Sequence, residues 1–145
     1  MADELVRAVY DTCIEAGIDY MEIGYKNSSR QFPKGEFGPW RHCDEEDLER
    51  VVGGHDPDET GLKLVAMADA GKSDWKEQIV PRSESVLDMI RVACYVHQVD
   101  AAIALAHHCM DKGFEATINL MAVSTVGPRD LEEALDDLSK CRVPI

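Results

Sequence analysis

The sequence predicts an α/β fold in which four parallel strands alternate with helices, part of a (β/α)8 or TIM barrel, and three observations predict it. Strand and helix patterns alternate strictly along the chain, which implies a parallel sheet with right-handed crossovers. Four apolar runs each carry one ionisable or amide side chain: Tyr20-Met21-Glu22-Ile23-Gly24, Leu62-Lys63-Leu64-Val65-Ala66, Met89-Ile90-Arg91-Val92-Ala93 and Thr117-Ile118-Asn119-Leu120-Met121. Buried parallel strands ordinarily read as unbroken aliphatic runs, and a buried polar or charged group without a partner is costly. Glu22, Lys63, Arg91 and Asn119 are therefore expected to point at one another across the inward face of a barrel. Finally, no G-x-G-x-x-G follows the first strand, as a doubly wound dinucleotide fold would require.

The elements follow in order. Leu5, Val6, Val9, Tyr10 and Cys13 recur at helical spacing over residues 3–16, and Gly17 stops the helix. Residues 20–25 form the first strand, with Glu22, Gly24 and Lys26 expected on one face. Residues 27–40 contain Pro33, Gly35, Gly38 and Pro39 without periodicity and read as a long loop. Asp44 caps a helix whose acidic first turn suits the helix dipole and whose apolar stripe is Leu48, Val51 and Val52. After a polar turn over 55–60, residues 61–69 form the second strand. Ser73 is expected to cap a short helix bearing Trp75 and Ile79 and ended by Pro81. Residues 87–97 form the third strand, and Val99, Ala102, Ile103, Ala106 and Met110 mark the next helix. Residues 116–124 form the fourth strand, and Gly127-Pro128 opens a helix with Leu131, Ala134, Leu135 and Leu138 on its buried face.

A complete barrel takes about 250 residues, whereas this chain has 145. Residues 1–145 are expected to be one partial-barrel domain, running from its first helix through its fifth. The chain opens on a helix and closes on an apolar stub, residues 141–145, where a further strand would start. It reads as cut at both ends.

Twenty-eight acidic side chains against 15 basic ones give a net charge of −13. That field opposes nucleic acid and anionic membranes. The five cysteines are scattered, without a C-x-x-C, and neither a secretory signal nor a membrane-spanning run is present. They read as reduced thiols of a cytoplasmic protein, with Cys13, Cys94 and Cys109 acting as small hydrophobes.

The segment Gly17-Ile18-Asp19-Tyr20-Met21-Glu22-Ile23-Gly24-Tyr25 resembles the second strand of the HMG-CoA-lyase-like aldolases, or DRE-TIM metallolyases. Met89-Ile90-Arg91-Val92-Ala93 with Tyr95-Val96-His97 is similar to that family's fourth strand, and residues 113–124 to its fifth. The resemblance implies a TIM barrel in which a divalent metal, Mn, Mg or Zn, enolises a 2-oxo acid or thioester for aldol cleavage or condensation. The family's ligands are an Asp in an R-D motif ending the first strand and two His in an H-x-H motif. Here there is no H-x-H, and Arg129-Asp130 sits at a helix start. The metal is thus expected only in a full-length family member, with no ligand in this chain.

The candidate catalytic residues are Arg91, His97, Tyr95, Glu22 and Asn119. Arg91, Ala93, Tyr95 and His97 alternate onto one face if the strand runs that far. Arg91 and Glu22 would grip a substrate carboxylate or a water, since a guanidinium pairs bidentately with carboxylates. Burial of such a pair would make its breakage cost about 3–5 kcal/mol. His97 could transfer protons, and Asn119 could orient an enolate oxygen; Asp69 and Lys72 also follow a strand. The alternative is a structural polar layer. His107-His108-Cys109 are adjacent helical residues and diverge, and zinc at His42-Cys43 would lack two ligands. Phe32, Phe37 and Trp40 suggest a lid or a subunit contact. The expected activity is that of a fragment of a metal-dependent carbon–carbon lyase or synthase acting on 2-oxo acids, inactive alone. The rivals are a self-associating, non-catalytic half-barrel and a small complete α/β enzyme.

Overall fold

A computed structural model describes residues 2–144. Its elements are α1 (Asp3–Glu15), β1 (Tyr20–Tyr25), α2 (Glu45–Val52), α3 (Pro57–Thr60), β2 (Lys63–Asp69), α4 (Trp75–Gln78), β3 (Met89–Cys94), α5 (Val99–Asp111), β4 (Glu115–Leu120) and α6 (Pro128–Lys140). The strands are all parallel and pair in the order β1-β2-β3-β4. Sequential order without a reversal winds the chain one way, as in a barrel wall, whereas doubly wound sheets reverse at a switch point.

Burial confirms this one-sidedness. Leu64, Ala66 and Ala68 of β2, Ile90, Val92 and Cys94 of β3, and Ala116 and Ile118 of β4 are buried with α5 residues Ala102, Leu105, Ala106 and Cys109 in the core. The opposite face carries Tyr20, Glu22, Glu115 and Asn119, all exposed. Helices therefore cover the outer face and leave the inner one open. At the far edge, Ile118 N–H and Thr117 Oγ1 both donate to the Pro144 carbonyl, at 2.9 and 3.0 Å. Residues 143–144 thus lie against β4 where a neighbouring strand would run.

At the N-terminal end of the strands a buried polar chain ties four segments together. The Tyr10 hydroxyl lies 2.9 Å from His55 Nδ1, and His55 Nε2 lies 3.1 Å from Asp88 Oδ2. Asp88 also accepts from Leu64 N–H at 2.8 Å and from Arg82 Nη2 at 2.5 Å. Every one of these buried groups has a partner, as desolvation demands. This end of a barrel serves stability.

Several expectations are corrected. In α1 the buried positions are Val6 and Tyr10, and Leu5 and Val9 are exposed; in α6 they are Ala134 and Leu138, and Leu135 is exposed. No described element packs on those stripes. Asp74, not Ser73, precedes α4, because the Ser73 hydroxyl donates to the Asp69 carbonyl instead. The third and fourth strands end at Cys94 and Leu120, earlier than the apolar runs suggested, since single helical turns at Val96–Gln98 and Val123–Thr125 take over.

Trp40 is buried in the core and is not part of a lid. His42 is buried and its Nδ1 meets the Asn27 carbonyl at 3.0 Å. His107, His108 and Cys109 diverge: His107 reaches the Cys141 carbonyl, His108 packs edge-on against Trp75, and Cys109 is in the core. Among the described residues no helix is long and apolar enough to cross a membrane.

All five cysteines are free. Burial pushes the thiols of Cys43 and Cys109 up to about 12 and that of Cys94 up to about 11. Raised values leave almost no thiolate at pH 8, and thiolate is the nucleophile. Iodoacetamide at pH 8 should label the half-buried Cys13 and Cys141 and spare the other three until denaturant is added, as peptide mass mapping will show.

Candidate active site

The inner face is organised in levels by strand register. Tyr20 pairs with Lys63; Glu22 with Val65, Val65 with Met89 and Met89 with Glu115; Tyr25 with Met67, Met67 with Arg91 and Arg91 with Thr117; and Asp69 with Ala93 and Ala93 with Asn119. Residues paired across a sheet project from the same side. Charged groups from neighbouring levels meet along this face.

Arg91 reaches Glu22 in the bidentate arrangement, Nε to Oε2 at 2.5 Å and Nη2 to Oε1 at 2.9 Å. Its Nη1 has no protein partner among the described residues. The hydrogen bonds to Glu22 raise the Arg91 pKa further, so the guanidinium is permanently charged. The pair is not buried as expected: the side chains keep 28% and 35% of their exposure, because nothing covers the inner face. Lys63 does not join them. It pairs with Glu115, which also accepts from the Tyr20 hydroxyl at 3.1 Å. Glu22, Lys63, Arg91 and Asn119 thus share a face without forming one cluster: Glu22 pairs with Arg91, Lys63 with Glu115, and Asn119 is exposed on the top level.

The expected alternation of Glu22, Gly24 and Lys26 fails at a bulge. Register slips between Glu22 and Gly24, so Glu22 faces inward while Gly24, paired with Ala66, turns outward and Tyr25, paired with Met67, turns inward. A Cβ on Gly24 would stand 2.4 Å from the Trp40 carbonyl oxygen and 2.6 Å from Cys43 Sγ, which explains the glycine. Lys26 is buried outside the sheet, donating at 2.7 Å to both the Cys43 carbonyl and Glu45.

Tyr95 and His97 fall outside the strand on the turn after β3. Their rings stack at 5.8 Å with 4° between planes. They line a cleft of about 670 Å³ with Asp100, Ala122, Asp130 and Glu133, between this turn and the start of α6. Glu22, Arg91 and Asn119 are not among its lining residues. The cleft contains Ala122, held at φ +55°, a left-handed conformation costly for a non-glycine residue. Asp69 is buried at the end of β2, where its Oδ1 accepts from Gly71 N–H at 2.9 Å and its Oδ2 pairs with Lys72 at 3.0 Å.

Sequence reasoning missed Tyr25 and Arg41. The Arg41 guanidinium lies 4.8 Å from the ring centre of Tyr25, 5.0 Å from that of Phe32 and 5.6 Å from that of Phe37. Phe32 and Phe37 meet edge to face at 5.3 Å. The only signal was the aromatic content of the loop, and nothing in it singled out the arginine beside Trp40. No group of three or more His, Cys, Asp or Glu among the described residues could hold a metal ion. The carboxylate nearest the strand ends, Asp69, is already engaged by Gly71 and Lys72. The described residues do not fit a divalent metal site.

Because the Glu22–Arg91 pair is partly solvated, its coupling should be that of a surface-grade bidentate pair, about 0.5–1 kcal/mol. A double-mutant cycle of Glu22→Gln and Arg91→Met in urea measures it directly. Additive effects in that cycle would mean the two side chains do not interact in solution.

No protein-family model matches the sequence, and no curated protein matches it. A solved structure described as the "N-terminal domain of a putative aldolase" from Bacteroides vulgatus superposes with a TM-score of 0.57 at 20% identity, covering 91% of this chain and 53% of that one. The chain therefore spans about half the length of this neighbour. At that identity the likeness shows the fold: an α/β sheet of four parallel strands alternating with helices, as in an aldolase domain.

Proposed function

We propose that the chain is part of an aldolase-type carbon–carbon lyase or synthase that acts on 2-oxo acids, of the HMG-CoA-lyase-like kind. The observation that carries this reading is Arg91: a permanent cation on the open inner face, oriented by Glu22, with Nη1 free to donate. Cleaving a 4-hydroxy-2-oxo acid breaks the C3–C4 bond, and the electron pair moves into the 2-oxo group as an enolate. The 4-hydroxyl loses its proton and C4 leaves as an aldehyde; the enolate then takes a proton at C3. Fixed donors aimed at the oxygen where charge develops are the largest available source of catalysis.

Arg91 is the group this reading places at that oxygen or at the adjacent carboxylate. His97, stacked on Tyr95, is assigned as its proton carrier, since an imidazole both accepts and donates a proton, and Asn119 orients an oxygen. The aldolase-domain likeness in fold supports the reading, and the five free thiols fit a reducing compartment such as the cytosol.

A second reading, a self-associating half-barrel, rests on the open inner face and on Leu5 and Val9 of α1 and Leu135 of α6, all exposed. An unpaired β1 edge and uncovered apolar stripes favour association. Light scattering over a concentration series should show species larger than a monomer; a monomer at every concentration removes this reading.

The 145-residue chain is expected to be inactive by itself, so the catalytic reading is tested on the complete enzyme of which it is part, by coupling pyruvate release from 4-hydroxy-2-oxo acids to lactate dehydrogenase. Release is expected, and Arg91→Met should lower kcat/KM by about 100-fold or more. Absence of release, or an unchanged rate in Arg91→Met, overturns it.

A further inference from the structure

The Arg41 guanidinium stands out in a chain of net charge −13. Arg7, Arg30, Arg50, Arg82, Arg91 and Arg129 each pair with a carboxylate. Arg41 instead lies against three rings, Tyr25, Phe32 and Phe37, at 4.8–5.6 Å, and has no ion-pair partner among the described residues. Aromatic faces attract a guanidinium and cover its plane. They leave its N–H donors unsatisfied, since a ring face offers no lone pair. A stacked guanidinium retains its edge for a planar oxyanion, which it binds bidentately.

The position of this cage gives the edge a use. Tyr25 is turned onto the inner face by the bulge in β1 and shares a level with Met67 and Arg91. Arg41 therefore stacks on a ring two strands from Arg91, about 10 Å away at the usual strand spacing. Tyr25 and Arg91 thus share one inner-face level, and Arg41 stacks on the ring of the first. The Arg91 guanidinium has its edge partly used by Glu22, and that of Arg41 is held only by rings.

We propose that Arg41, held by Tyr25, Phe32 and Phe37, is the receptor for a second anionic group on the substrate, so that the site selects dicarboxylates over monocarboxylates. The inference rests on the 2-oxo acid reading for the identity of the substrate but not for the anion site itself. Arg41 sets specificity by this account, and Arg91 holds the other end.

The test uses the full chain with glutarate and butyrate as probes, neither of which has a 2-oxo group. Binding is followed by calorimetry and by the Nε–Hε resonances of the arginine side chains. Glutarate is expected to bind about tenfold tighter than butyrate, in line with one added charge-assisted contact, and to shift the Arg41 resonance. Arg41→Met should abolish the glutarate advantage over butyrate. Arg41→Lys, which keeps the charge and loses the planar fork, should recover only part of it. Equal affinities for the two probes, or an Arg41 resonance that stays put at glutarate saturation, overturn the assignment. The resonance is read on the unsubstituted protein, so a misfolded variant does not obscure the answer. Failure of pyruvate release leaves this result standing, and failure of glutarate to engage Arg41 leaves the cleavage assay standing.

Discussion

A one-residue bulge in β1 governs much of what the inner face can do. Side chains alternate along a strand, so one extra residue reverses the facing of everything that follows. Before the slip, Glu22 looks inward and receives Arg91; after it, Tyr25 looks inward, and Gly24 and Lys26 look out. The bulge is held by close approach, because the Trp40 carbonyl and the Cys43 sulfur occupy the space a Gly24 side chain would need. The same contact anchors the long loop from Asn27 onward and delivers Arg41 to the Tyr25 ring. Loop, strand and cation are thus set by one irregularity.

The charges divide accordingly between two environments. On the inner face the pairs are solvated: Glu22 with Arg91, and Lys63 with Glu115. Such pairs add little stability while water competes for them. Their value lies in holding donors in fixed directions. Beneath the helices the polar groups are more deeply buried and paired, as in the chain from Tyr10 through His55 and Asp88 to Arg82, or in Lys26 with Glu45 and the Cys43 carbonyl, where Glu45 Oε2 alone is left without a partner. Removing one member there strands its partners without water, which is where a buried network becomes indispensable.

The strand ends show the same division between scaffold and chemistry. Asp69 at the end of β2 is consumed in shaping its own loop, accepting from Gly71 and Lys72. Tyr95 and His97, freed from β3 by the turn after Cys94, open onto a cleft against α6 rather than onto the floor where Arg91 lies. The proposed chemistry thus assigns roles on two separate surfaces, the inner face that carries Arg91 and the cleft that carries His97.

By itself the sequence determined the alternation of strands and helices, the parallel order and the barrel-like polar insertions, and it put Glu22, Lys63, Arg91 and Asn119 on one face without fixing who pairs with whom. Those properties follow from local periodicity and from the cost of leaving a charge unpaired, both of which are written in single segments. The alternative partners were beyond it: Lys63 chose Glu115 because register brings them near, and register is a property of two strands. The early ends of β3 and β4, the turn that redirects Tyr95 and His97, and the exposure of Leu5, Val9 and Leu135 depend on what packs against each element. Arg41 was the least legible of all. Its aromatic neighbours lie 16, 9 and 4 residues away in the chain, and only the folded loop, pinned by the approach of Trp40 and Cys43 to Gly24, brings the three rings around one guanidinium.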